Sequence, residues 1–180
     1  SLVGSEMCIR DRYYESQFEE ATIELLREAH WQYTLGDDIH RKYTDPLIEE
    51  DLRNFLAVQY KDKNLTTSEM DGIVANLRNT GGQNDYYALR NAFLLYRDGY
   101  DFAYSDSRDN PFRMEYIDFE HPDHNIFRCV NQFVMGQGRE NRRPDILLFI
   151  NGIPVCIIEL KNPTKQNATI RDCLLYTSDA

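Results

Sequence analysis

The stretch from Arg142 to Pro163, RRPDILLFINGIPVCIIELKNP, constrains the fold of this chain more than any other. Two almost wholly apolar runs flank Asn151-Gly152, a dipeptide that readily takes positive φ at both centres of a tight hairpin turn. The pattern predicts two antiparallel strands. Asp145 opens the first, and Glu159, Leu160 and Lys161 close the second.

Glu159 and Lys161 are two residues apart, so on an extended strand they project from one face about 6 to 7 Å from each other. Asp145 joins them only on a condition. If Asn151 and Gly152 alone formed the loop between straight strands, Ile150 would pair with Ile153 and Asp145 would face Ile158. One bulge, or a longer turn, shifts the register by one and brings Asp145 onto the face of Glu159. Such an irregularity is therefore expected, and Pro154, which cannot donate a ladder hydrogen bond, fits it.

Acids at the ends of apolar strands need water, a partner or a cation, because a lone buried charge is costly. Taken alone, an aspartate followed by Glu-x-Lys is a weak pattern, and in a chain with 28% charged residues the spacing by itself favours a solvated strand end with a salt bridge. The alternative is a hard-metal site, since Mg²⁺ takes few carboxylates, several waters and phosphate oxygens.

Before this hairpin the chain has a different texture. Apolar positions Phe18, Ala21, Leu25 and Ala29 predict an amphipathic helix from Glu15 to about His30. Asp45-Pro46 is expected to cap a second helix through Leu47, Leu52 and Phe55. Thr66-x-x-Glu69 predicts a capping box on a third, and a fourth runs from about Asn84 to Gly99 as its C′ residue. Phe112–Phe119 and Asn125–Val134 read as further strands. The fold class is α/β or α+β: a helix in front, a helical insertion over about 45–99, and a central mixed sheet containing a meander.

Composition narrows the function classes. The net charge of −10 argues against a free-standing coat for DNA, which needs Lys and Arg to displace phosphate counterions. There is no apolar run of transmembrane length and no export signal, so a cytoplasmic protein without membrane attachment is expected. Cys8, Cys129, Cys156 and Cys173 lack the spacing of a zinc knuckle or disulfide framework. The segments 1–12 and 173–180 resemble translated sequencing-adapter read-through; the native domain is taken as 13–172 of a fragment cut at both ends.

The run PD, apolar strand, NG, apolar strand, ELK closely resembles the PD-(D/E)xK nuclease signature. Its surroundings, HPDHNIFRCV and NQFVMGQGRENRRPDILLFINGIPVCIIELKNP, resemble the N-terminal domain of the R (endonuclease and motor) subunit of type I restriction enzymes, over roughly Tyr14 to Arg171. That resemblance implies a restriction-endonuclease-like core and Mg²⁺-dependent cleavage of duplex DNA, coupled to an ATP-driven translocase outside this chain. It also implies modification and specificity subunits as partners, which bring S-adenosylmethionine. Asp145 and Glu159 match the family's metal-binding acids and Lys161 its catalytic lysine, with the Leu160 carbonyl as a further ligand.

Related nucleases often add a glutamate from the first helix. Glu19 is the better match here, because it shares a helical face with Ile23 and Leu26, whereas Glu20 lies with Glu24 and Arg27; an ordinary solvated glutamate is the alternative. The chain departs from many members in lacking Gln-x-x-x-Tyr after the lysine, since Ile170 stands four residues beyond Gln166. No GKS or GKT phosphate loop occurs, so ATP belongs to the downstream motor.

Other features take plainer readings. His121-Pro122-Asp123-His124 is read as a loop of turn formers. Arg139, Arg142 and Arg143 either hold DNA phosphates or form a solvated loop. Tyr86, Tyr87, Tyr96, Tyr100 and Tyr104 are read as core rather than base-stacking residues. By fold analogy, the acidic region 45–99 is a face for docking the motor. A non-catalytic module binding motor or methylase subunits, or another PD-(D/E)xK nuclease, remain the alternatives.

Overall fold

The computed structural model describes residues 3–80, 85–106, 109–136 and 141–160, with side chains from residue 16 onward except at 85. The first helix, α1 (Val3–Glu28), begins earlier than the apolar periodicity indicates. It ends where His30 takes a φ of 67°, and the N–H groups of His30 and Trp31 turn back to the carbonyls of Arg27 and Leu26 at 3.0 and 2.9 Å. That reversal aims the chain into β1 (Gln32–Leu35), a short strand that the sequence reading did not include.

Three helices follow: α2 (Glu49–Gln59), α3 (Thr67–Arg78) and α4 (Asp85–Asp98). The capping box on α3 is present: the Thr66 hydroxyl accepts from the Glu69 N–H at 3.2 Å, and Glu69 accepts from the Thr66 N–H at 2.9 Å. Gly99 closes α4 with a φ of 63°, donating its N–H to Leu95 at 2.9 Å.

The Asp45-Pro46 cap is corrected. The helix starts at Glu49, because the Ile48 N–H bonds the Gly152 carbonyl at 2.9 Å and Asp45 accepts from Leu47 instead. A tertiary contact overrides the local signal.

The strands β2 (Tyr100–Phe102) and β3 (Phe112–Met114) form a separate antiparallel pair, so the strand expected over Phe112–Phe119 is short and lies outside the main sheet. The main sheet has the order β1-β4-β5-β6, with β4 (Phe127–Asn131), β5 (Ile146–Ile150) and β6 (Ile153–Ile158). The last three make the expected meander, and β1 joins β4 in parallel. The sheet is mixed, as anticipated, and the whole is an α+β arrangement.

Arg128 on β4 locks these layers together. Its Nε and Nη2 donate to the buried Asp51 of α2 at 2.6 and 2.7 Å, and its Nη1 donates to Thr34 of β1 at 2.7 Å. The hydrogen bonds to Asp51 raise the guanidinium above its ordinary pKa. Leu52, Leu56, Ile73 and Tyr116 pack with Ile153 in one core cluster, and Ile48 packs with Val130, Leu147 and Phe149 in the adjoining one. Tyr104 is buried, but Tyr86 and Tyr87 are 68% and 46% exposed, so the core reading fails for that pair. Their rings pack edge to face on each other.

A charged cluster ties α2 to α3. Glu49 accepts from Arg78 and from Arg53, which hold its carboxyl below the usual range. A lowered folded-state pKa stabilises the fold above the ordinary carboxylate value, near pH 4.3, and that contribution disappears as pH falls through the folded value. Urea midpoints measured from pH 6 down to 3 are expected to fall less in Glu49→Gln than in the wild type. Parallel curves would assign the acid sensitivity elsewhere.

Candidate active site

Asn151 and Gly152 form the two-residue turn, with φ of 50° and 74°. Ile150 pairs with Ile153 and Phe149 with Pro154, as in a plain hairpin. The register then shifts: Leu148 pairs with Cys156, Leu147 with Ile157 and Ile146 with Ile158. Val155 is the extra residue. The bulge required for the two acids to share a face is therefore present, next to Pro154. Continued by one residue beyond Ile146–Ile158, the shifted register sets Asp145 opposite Glu159, where directly opposed Cβ atoms are about 4.5 to 5.5 Å apart.

The hairpin tip is anchored by a buried hub. The Asn151 side chain accepts from the Ile126 N–H at 2.7 Å and donates to the Tyr116 carbonyl at 2.9 Å and to Asn125 at 2.7 Å. Asn151 thus supplies the turn conformation and also secures β5 and β6 to the loop before β4, so the register of the sheet end is held from both sides.

At that end Asp145 is half-buried and Glu159 exposed. One oxygen of Asp145 accepts from the Leu160 N–H at 2.7 Å, filling the acceptor role that a ladder carbonyl would have on a longer strand. The Gln132 N–H reaches the Asp145 carbonyl at 3.4 Å, and Gln132 itself has a φ of 58° that ends β4. Arg143 donates to the Gln132 side chain, and Arg142 bridges to Met135 through its backbone. Both arginines are exposed beside Asp145. Lys161 and Arg139 lie outside the described residues.

Glu19, rather than Glu20, turns toward the sheet. It is half-buried and accepts from Asn131 at 2.8 Å, while Asn131 accepts from the Tyr33 hydroxyl at 2.9 Å. These residues border a cleft of about 380 Å³ between α1 and the ends of β1 and β4. Asn131 and Tyr33 were not singled out from sequence, because nothing local marks a polar residue that holds another. Asn131 is the ladder partner of Ile146, so Glu19 approaches the Ile146 face, whereas strand alternation sets Asp145 and Glu159 on the other. Glu19, Asp145 and Glu159 accordingly do not form a tight three-carboxylate cluster.

Among the described residues, one metal-capable group has its ligand atoms within 4.8 Å of one another: Asp118, His121 and His124. The local reading of His121–His124 as a loop holds, since Pro122–His124 is a single 3₁₀ turn. The carboxylate facing both rings is Asp118, not Asp123. The signal was the spacing of three between Asp118 and His121 and again between His121 and His124.

Comparison with known proteins adds the context. A family described as "Type I restriction enzyme R protein N terminus" matches residues 12–178. The type I restriction enzyme HindI endonuclease subunit of Haemophilus influenzae is 28% identical over 166 residues, 87% of this chain and 16% of that protein. A Methanocaldococcus jannaschii protein assigned as the MjaIXP endonuclease subunit of a type I restriction enzyme is 29% identical over 162 residues, 86% of this chain and 16% of that protein. The chain thus spans about one sixth of these relatives' length. No solved structure matches. No described helix is long and apolar enough to cross a membrane.

Proposed function

The chain belongs to the family of type I restriction enzyme R protein N termini, and from that premise we propose that it is the Mg²⁺-dependent, DNA-cleaving domain of a restriction subunit, with Asp145 and Glu159 as its metal-binding acids. The observation that carries the reading is the bulge at Val155, which offsets the hairpin by the one residue needed to set these carboxylates opposite each other.

The residues fit a hard divalent cation. Asp145 and Glu159 offer carboxylate oxygens at a sheet end, with Glu159 open to water, which suits an ion that keeps several waters and takes substrate phosphate oxygens. When bound there, Mg²⁺ would polarise the scissile phosphate and lower the pKa of an attacking water. The Leu160 N–H holds Asp145 in place. Lys161 is assigned the orientation of the attacking water and the offset of developing negative charge. Glu19 of α1 lies at the same end of the sheet but on the face of Ile146, so it is left out of the proposed ligand set, and the exposed Arg142 and Arg143 are assigned to DNA phosphates.

Coupling to ATP-driven translocation, and association with modification and specificity subunits that use S-adenosylmethionine, are proposed from the resemblance of the sequence to type I restriction R subunits. A cytoplasmic location goes with them.

Calorimetric titration of Mn²⁺ into this chain tests the ligand assignment. Saturable binding in the wild type, lost in both Asp145→Ala and Glu159→Ala, is the expected result. Equal binding in either folded variant would remove that residue from the site.

A further inference from the structure

Asp118 is nearly fully buried, with a side-chain exposure of 5%, and both of its oxygens are committed. Oδ1 accepts the backbone N–H groups of Glu120 and His121 at 3.0 and 2.9 Å. Oδ2 accepts from Gln59 of α2 at 3.1 Å and also faces Nδ1 of His124 at 3.1 Å and Nδ1 of His121 at 3.5 Å. An ionised carboxylate offers about four lone-pair sites, about two on each oxygen. Five groups converge here, three of them on one oxygen. The crowding arises because two imidazoles aim the same ring edge at one acceptor, with their rings stacked 4.9 Å apart and 17° from parallel.

A cation in place of the ring protons removes the conflict, and the geometry is already close to what one requires. Zinc binds imidazole nitrogen at about 2.0 to 2.1 Å and carboxylate oxygen at about 2.0 to 2.2 Å, so the edge of its tetrahedron is about 3.3 to 3.6 Å. Of the two Nδ1-to-Oδ2 separations, 3.5 Å lies within that range and 3.1 Å slightly below it. The two backbone N–H groups fix the carboxylate, Gln59 supplies an outer partner, and the 3₁₀ turn at Pro122–His124 sets the spacing of the rings. Both histidines are more than half exposed, which leaves the remaining coordination open to water.

We infer that Asp118, His121 and His124 form a binding site for a borderline transition-metal ion, with Zn²⁺ as its ligand, separate from the acids at the sheet end. Two imidazole nitrogens and one carboxylate oxygen are a zinc-type donor set, whereas Mg²⁺ is served by oxygen alone. Bound metal would clamp the turn at 118–124 to α2 through Gln59, and to the hairpin tip through Asn125, which bonds both Asp118 and Asn151.

The test is calorimetric titration of Zn²⁺ into the 180-residue chain with Mg²⁺ in excess, together with the ligand-field absorption of added Co²⁺. One site is expected, retained in Asp145→Ala. In the His121→Ala/His124→Ala double variant its affinity should fall by more than the roughly 10- to 100-fold that loss of an outer partner costs, and the Co²⁺ band should vanish. Both histidines are exposed, so the variant should keep the wild-type circular dichroism. No zinc binding by the folded wild type, or binding and a Co²⁺ spectrum unchanged in the double variant, would overturn the inference.

Discussion

Replacing Gly152 with alanine is expected to cost about 3 to 5 kcal/mol of stability. Gly152 sits at a φ of 74°, where an L side chain is already strained by about 1 to 2 kcal/mol. The added Cβ would lie 2.1 Å from the Ile48 carbonyl oxygen and 3.0 Å from its carbon, both of them backbone atoms that no rotamer change can move. Relief requires α2 to back away from the hairpin. That movement breaks the bond from the Ile48 N–H to the Gly152 carbonyl and opens the packing of Ile48 on Leu147 and Phe149.

Urea denaturation should show the loss as a lower midpoint with an unchanged slope. Gly72→Ala is the internal control. Gly72 lies within α3 with nothing within 4 Å of the added carbon, so alanine there should stabilise by about 0.5 to 1 kcal/mol. A Gly152→Ala loss below about 1 kcal/mol would mean that the contact between hairpin and α2 is softer than described.

The same contact explains what was and was not legible in the sequence. Asn151-Gly152 was legible because few residue pairs tolerate positive φ twice in succession, and the capping box at Thr66 and Glu69 because its hydrogen bonds are local. The bulge was legible only indirectly, as the condition under which Asp145 and Glu159 could share a face; that Val155 would be the extra residue was not. Asp45-Pro46 carried a sound local signal and lost to a carbonyl more than a hundred residues away in the chain. The strand at Gln32–Leu35 has four residues and a parallel partner nearly a hundred positions on, so no short-range pattern announces it. Tyr86 and Tyr87 have helical spacing, but spacing does not say whether a neighbouring element covers the face.

At the site, Glu19 was separated from Glu20 by helical periodicity alone, and the structure turns Glu19 toward the sheet. The side chain that receives it, Asn131, follows from the pairing of β4 with β5 and could not be read locally. Asp118 is not legible for a related reason: it lies outside the segment His121–His124, whose own aspartate, Asp123, is the nearer one in sequence.

The second large effect concerns the register that the bulge sets. Inserting one alanine between Cys156 and Ile157 should leave the pairs on the turn side of that point in place and move every later residue of β6 by one position. Ile158 would then face Asp145, and Glu159 would project from the opposite side of the sheet. The proposed assignment has both acids acting at one phosphate, so losing either is expected to reduce cleavage by several orders of magnitude, in keeping with the roughly 8 kcal/mol or more that enzymes remove from such barriers. Truncating the exposed Val155 side chain to alanine leaves the register intact and should leave cleavage near wild type.

The decisive measurement is nicking of supercoiled DNA by the intact subunit that carries this domain, assembled with its partners and supplied with Mg²⁺ and ATP. The wild type and Val155→Ala should nick, while Asp145→Ala and the insertion between Cys156 and Ile157 should not, with ATP hydrolysis preserved in all four as evidence of assembly. Nicking by Asp145→Ala at the wild-type rate would contradict the assignment of the active site to this end of the sheet.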